Sequence, residues 1–126
     1  MHSALLIAAL AITHVTVIDP MAGTVRRDVN VVVRGDRVES IGGKVPDGAQ
    51  IVDGRGKFLI PGLWDMHVHL SWTKESALML LVANGVTGVR DLGGKLGELD
   101  EWRTKIATGL IVGPRIVRAG PILNGQ

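Results

Sequence analysis

Two histidines stand two positions apart in Asp65-Met66-His67-Val68-His69. In a strand, residues two apart share a face, and their Cα atoms lie ~6.6 Å apart. Two imidazoles on one face can converge on a single ion, and imidazole suits divalent Zn, Fe, Ni or Mn. The competing reading is a pair of half-buried histidines on an edge strand. Asp65 shares their face but lies nearer the strand's start, so it reads as an outer partner of the histidines or as a structural carboxylate. Asp91 is either a further ligand or a carboxylate that caps a helix or orders a loop. Arg90 beside it can pair with Asp65 or with a substrate carboxylate, and strand parity leaves both open. Trp72 borders the same region, whereas Trp64 and Trp102 read as packing residues. A catalytic zinc site normally takes three protein ligands plus water. The four histidines are His2, His14, His67 and His69, so this region offers only two of them.

The elements that must hold these residues divide at Pro61-Gly62. Before it, short β-branched runs alternate with turns: residues 12–18, 28–34, 37–41, 50–53 and 57–60. Val29, Val31 and Val33 fall on one face, and Gly35-Asp36 makes a hairpin turn, because Gly accepts a positive φ. That turn also explains the tripeptide Arg34-Gly35-Asp36. Short strands at this spacing predict a β-sandwich. After Pro61-Gly62, strands at 63–70, 86–91 and 115–119 alternate with helices at 74–84 and 95–108. Thr73 is the expected cap of the first helix. Gly85 and Gly109 are the expected stops. This β-α-β-α-β order predicts parallel pairing. The histidine pair then lies at the carboxyl end of its strand, before Ser71-Trp72-Thr73, where (β/α) barrels build active sites. Gly93-Gly94-Lys95 could seat an anion at a helix start, but it lacks the Walker spacing, and simple flexibility is the better reading.

Composition narrows the classes. The 126 residues are 46% hydrophobic and 21% charged, as in a globular protein. A net charge of +2 with scattered basic residues gives no nucleic-acid footprint. One Phe, three Trp and no Tyr are too few for a base-stacking surface. The absence of cysteine excludes disulfides, zinc–cysteine sites and thiol nucleophiles. No apolar run reaches the ~18 residues of a membrane span. Residues 4–12 form a short apolar run that reads as an irregular leader or a weak export signal. The expectation is a cytoplasmic protein, with export as the alternative.

Several separated segments resemble the amidohydrolase superfamily: Asp53-Gly54-Arg55-Gly56 through Pro61-Gly62-Leu63-Trp64-Asp65-Met66-His67-Val68-His69-Leu70, then Ala83-Asn84-Gly85-Val86 to Asp91-Leu92-Gly93-Gly94, then Gly113-Pro114-Arg115 to Gly120-Pro121. The set is most similar to the imidazolonepropionase-like and prolidase-like branch. The resemblance implies an α/β fold. A β-sandwich-like module over 12–61 follows a leader at 1–11, and the first three strands and two helices of an incomplete (β/α)8 barrel occupy 62–126. It also implies that His67 and His69 bind a divalent metal, zinc first, with manganese, iron and nickel as alternatives. Asp65, Arg90, Asp91 and Trp72 are then outer-partner or substrate-side residues. In that family a Lys or Glu on the fourth strand, histidines on the fifth and sixth, and a general-base Asp on the eighth complete the site.

None of those later positions falls within these 126 residues, so no catalytic residue is assigned. The resulting expectation is the N-terminal part of a hydrolase acting on amide, cyclic amide, dipeptide, ester or lactone substrates, inactive alone, with a homo-oligomer open. The alternatives are a truncated product without its own role and a binding module that a partner completes.

Overall fold

The computed structural model describes residues 9–124, which fall into two compact units meeting at Pro61 and Gly62. In the first unit, β1 (Leu10–Asp19), β2 (Thr24–Arg34), β3 (Arg37–Ile41), β4 (Gln50–Asp53) and β5 (Phe58–Leu59) form one sheet in the order β3-β2-β1-β4. β1 is its hub. It pairs antiparallel with β2 on one edge. On the other it pairs parallel with β4 along residues 10–13 and with β5 at Thr16 and Val17. The predicted sandwich is therefore a single five-stranded sheet among the described residues. The reason is that two short strands share one edge of β1 instead of starting a second layer. β1 begins at Leu10, and Ala11 is fully buried, so the end of the expected leader is already strand. Residues 1–8 lie outside the described residues.

Two compensating bulges shape β1 and β2. Ile12 pairs with Val31, Val15 with Val29, and Val17 with Arg26. From the first pair to the second, β1 advances three residues against two on β2. From the second to the third, the excess falls on β2. Each extra residue sits in the left-handed region: His14 at φ 56° and Asp28 at φ 52°. Without glycine there, such a backbone is uncommon, although His and Asp tolerate it better than most. Their side chains join, with His14 Nδ1 2.7 Å from Asp28 Oδ1. The first bulge also switches side-chain parity. Ala9 and Ala11 pack with Val32 on one face, whereas Val15 and Val17 pack with Val31 on the other, beside Val29 and Val33.

In the second unit, β6 (Leu63–Val68), β7 (Val86–Asp91) and β8 (Arg115–Arg118) form a parallel sheet in chain order. The helices α1 (Ser76–Ala83) and α2 (Leu96–Ala107) connect them. Leu78 from α1 and Leu99 and Trp102 from α2 bury against Val89 and Ile116 of the sheet, with Leu70. Gly85 and Gly109 end the helices at φ 81° and 73°, a conformation that is cheap only for glycine. Thr73 does not cap α1. Its hydroxyl donates to Leu70 O at 2.7 Å, closing a 3₁₀ turn at Leu70–Trp72, and α1 starts later, without a side-chain cap.

Candidate metal centre

β6 stops at Val68, so His69 lies just past the strand and Leu70 is not part of it. The cause is Asp91. Its Oδ2 accepts the Leu70 N–H at 2.7 Å, taking a donor that a longer strand would give to the ladder. Its Oδ1 accepts the Gly93 N–H at 3.0 Å. Asp91 is only 1% exposed, so this carboxylate is buried but satisfied by two backbone donors. One side chain thereby ties the loop after β6 to the loop after β7. Of the two readings of Asp91, the structure shows the loop-ordering one.

The two imidazoles do lie together. Their ring centroids are 5.3 Å apart, with planes crossed at 69°. His69 Nδ1 is 2.9 Å from the carbonyl oxygen of Gly93. A carbonyl can only accept, so Nδ1 carries the proton and the neutral ring keeps its lone pair on Nε2. Trp72 stacks on the same ring at 4.3 Å and 23°. Stacking covers a face of the imidazole and leaves its edge nitrogens untouched. A backbone acceptor and an aromatic face thus fix both the tautomer and the plane of His69, as outer partners of metal-binding histidines do. His67 is exposed, and its ring makes no hydrogen bond among the described residues.

Asp65 acts on the backbone: its Oδ1 accepts the His67 N–H at 3.1 Å and does not reach either ring. Arg90 pairs with neither Asp65 nor another carboxylate among the described residues. Its Nε donates to Met66 O at 3.0 Å, where the β6–β7 register shifts and frees that carbonyl. The anion seat at Gly93-Gly94-Lys95 is already used internally. Gly93 N donates to Asp91, and Lys95 N donates to Ser71 Oγ at 2.8 Å. Ser71 and the Gly93 carbonyl are the contributors that sequence reasoning missed. The glycine pair was their only signal. A Cβ on Gly93 would come within 2.7 Å of Ile122 Cδ1, the tip of an exposed side chain that can turn aside.

His67 and His69 supply two imidazole donors, and His69 keeps Nε2 free. No cluster of three or more His, Asp or Glu occurs among the described residues. The donor set fits part of a metal site.

Farther from this site, Asp100 of α2 binds Arg118 of β8 through two contacts of 2.8 Å. The Arg118 guanidinium, with help from Arg103, lowers the Asp100 carboxyl to about 2. Lys105 is raised by its contacts with Glu101 and Glu75. These pairs anchor α2.

The fold defines the class first: an α/β unit of parallel strands joined through helices, preceded by a β-sheet unit. No family model matches the chain. A dihydroorotase from Pelotomaculum thermopropionicum is 43% identical over 56 residues, which are 44% of this chain and 13% of that protein. The structure of a proposed prolidase from Bifidobacterium longum superposes with a TM-score of 0.79 at 33% identity, covering 95% of this chain and 33% of the other. Phenylurea hydrolase B superposes with a TM-score of 0.81 at 32% identity, covering 91% of this chain and 31% of the other. These relatives point to the amidohydrolase superfamily, and the chain spans about a third of the length of the two solved structures. No helix among the described residues is long and apolar enough to cross a membrane.

Proposed function

We propose that the chain is the metal-binding N-terminal part of a hydrolase that cleaves carbon–nitrogen bonds in small molecules. In this reading residues 62–126 begin a (β/α)8 barrel, and His67 and His69 hold a divalent cation, zinc first. The observation that carries it is the imidazole pair, 5.3 Å apart, with the His69 proton fixed on Nδ1 by Gly93 O. Its relatives named for prolidase and phenylurea hydrolysis support amide-like substrates over esters or lactones. When bound, the cation would supply the Lewis acidity that makes water a nucleophile near neutral pH. The chain's own residues hold the site. Gly93 O keeps the His69 proton on Nδ1, Trp72 sets the ring plane, and Asp91 fixes the two loops that carry them.

The test is metal content. The purified chain loaded with Zn²⁺ and dialysed should retain it, and His67→Asn and His69→Asn should each lose it. Equal content in all three would overturn the reading. The chain alone should show no amide hydrolysis above a zinc-only control, because two histidines fall short of the usual three ligands.

A second reading has its own observation. Leu63, Trp64 and Met66 of β6 are 45–50% exposed, and the outer edges of β6 and β8 have no strand partner among the described residues. Unpaired edges beside apolar side chains seek partners. An assembly module would run on size exclusion as a complex, and a monodisperse monomer counts against it.

A further inference from the structure

Trp72 is 79% exposed, an unusual state for so large an apolar ring. One face stacks on His69, so its exposed surface lies beside the proposed reaction centre. A cavity of about 320 Å³ opens next to it, at the small end of the range for ligand pockets. The loops after β6, β7 and β8 build this cavity together, with Trp72 from the first, Gly93 and Gly94 from the second, and Pro121 and Ile122 from the third, beside Leu96 at the start of α2. All three loops follow the carboxyl ends of parallel strands, where α/β enzymes bind substrate.

The chemistry of the walls is restrictive. Ser71 Oγ already accepts the Lys95 N–H, and the Gly93 N–H already serves Asp91. Two polar groups of the lining are therefore used within the protein. What remains is an indole, the Ser71 hydroxyl proton, two glycines without side chains, and the side chains of Lys95, Leu96, Pro121 and Ile122. A slot with one flat aromatic wall and a side-chain-free glycine segment suits a flat guest. Offset stacking on an indole adds to the area that a ring buries, and a puckered ring of equal size does not gain that addition.

We infer that Trp72 forms the wall of a substrate subsite that takes a flat aryl or heteroaryl substituent, and so selects aryl amides and ureas over aliphatic ones. This rests on the proposed hydrolase site, because the slot matters only if His67 and His69 mark the reacting centre. N-phenylacetamide and N-cyclohexylacetamide provide the probe: the same amide with a flat or a puckered ring. Each is titrated into the zinc-loaded chain while the indole N–H of Trp72 and the amides of Gly93 and Gly94 are followed by NMR. The phenyl compound should shift these signals and bind about fivefold tighter. Trp72→Phe should keep most of that preference and Trp72→Ala should erase it. Equal binding of the two amides, no binding by either, or an unchanged preference in Trp72→Ala would overturn the inference. Zinc content, measured on the same samples, keeps the two failures apart. Zinc retained through both histidines without an aryl preference sinks the subsite alone, whereas no histidine-dependent zinc sinks the proposed function.

Discussion

In residues 9–61, His14 Nδ1 meets the carboxylate of Asp28. In residues 62–124, His69 Nδ1 meets the backbone carbonyl of Gly93. Both contacts tie the chain to a distant segment, 14 and 24 residues away. Their consequences differ. His14 and Asp28 each occupy the extra position of a bulge, so their contact joins two irregularities that cancel and restores the register beyond them. His69 stands past the end of its strand, where no ladder needs repair. Its ring is oriented and leaves Nε2 available. One histidine joins two bulges of a sheet, and the other has its ring oriented by a loop carbonyl and an indole. The residue type does not separate the two roles; the position relative to the strand and the nature of the acceptor do.

The strongest way to break this comparison is at Asp91. Asp91→Ala strands two N–H donors, both in a buried setting, and should cost about 3 kcal/mol in urea unfolding. Asp91→Asn keeps an acceptor and should cost roughly half as much. If Asp91→Ala unfolds like the parent, the carboxylate does not hold the two loops together. A smaller effect is expected at the paired bulges. His14→Ala keeps the left-handed backbone without the Asp28 contact and should lose about 1 kcal/mol. His14→Gly relieves the backbone and should lie within about 0.5 kcal/mol of the parent. A His14→Gly variant no more stable than His14→Ala would mean that the φ of 56° carries no strain.

The smallest effect is a pH dependence. The Arg55 side chain and backbone lower Asp53 to about 2 in the first unit, and Arg118 does the same for Asp100 in the second. Both carboxyls bind protons less readily when folded. Their stabilisation is therefore fully present above the ordinary value of 3.8 and fades as pH falls toward about 2. Both pairs are solvent-exposed, so salt should weaken the effect. Arg118 is the less exposed of the two arginines, at 27% against 75% for Arg55. Arg118→Gln should therefore flatten stability between pH 4 and pH 2 more than Arg55→Gln. The reverse order in acid titrations monitored by circular dichroism would reject this ranking.

Much of the second unit was legible in the residues. Trp102 read as a packing residue, and it is core. The alternation of strands and helices implied the parallel order that β6, β7 and β8 show. The first unit was legible as strands but not as layers, because nothing local tells β4 and β5 that they will share one edge of β1. The bulges were equally hidden. His14 and Asp28 look like ordinary strand residues until their pairing partners are counted. Thr73 misled for a related reason: a hydroxyl three residues before a helix can close the turn behind it as readily as cap the helix ahead.

The sequence by itself determined that two imidazoles stand two positions apart beside an aspartate, because a strand's period of two follows from covalent geometry alone. It likewise set where the helices stop, since a glycine at each stop admits a left-handed residue cheaply. Only the tertiary structure decided which nitrogen of His69 is free, that Asp91 binds the loops after β6 and β7, and that Trp72 lies open beside the pair. Those outcomes depend on backbone groups some 20 residues away in the chain, and no local propensity encodes where a distant carbonyl or amide will come to rest.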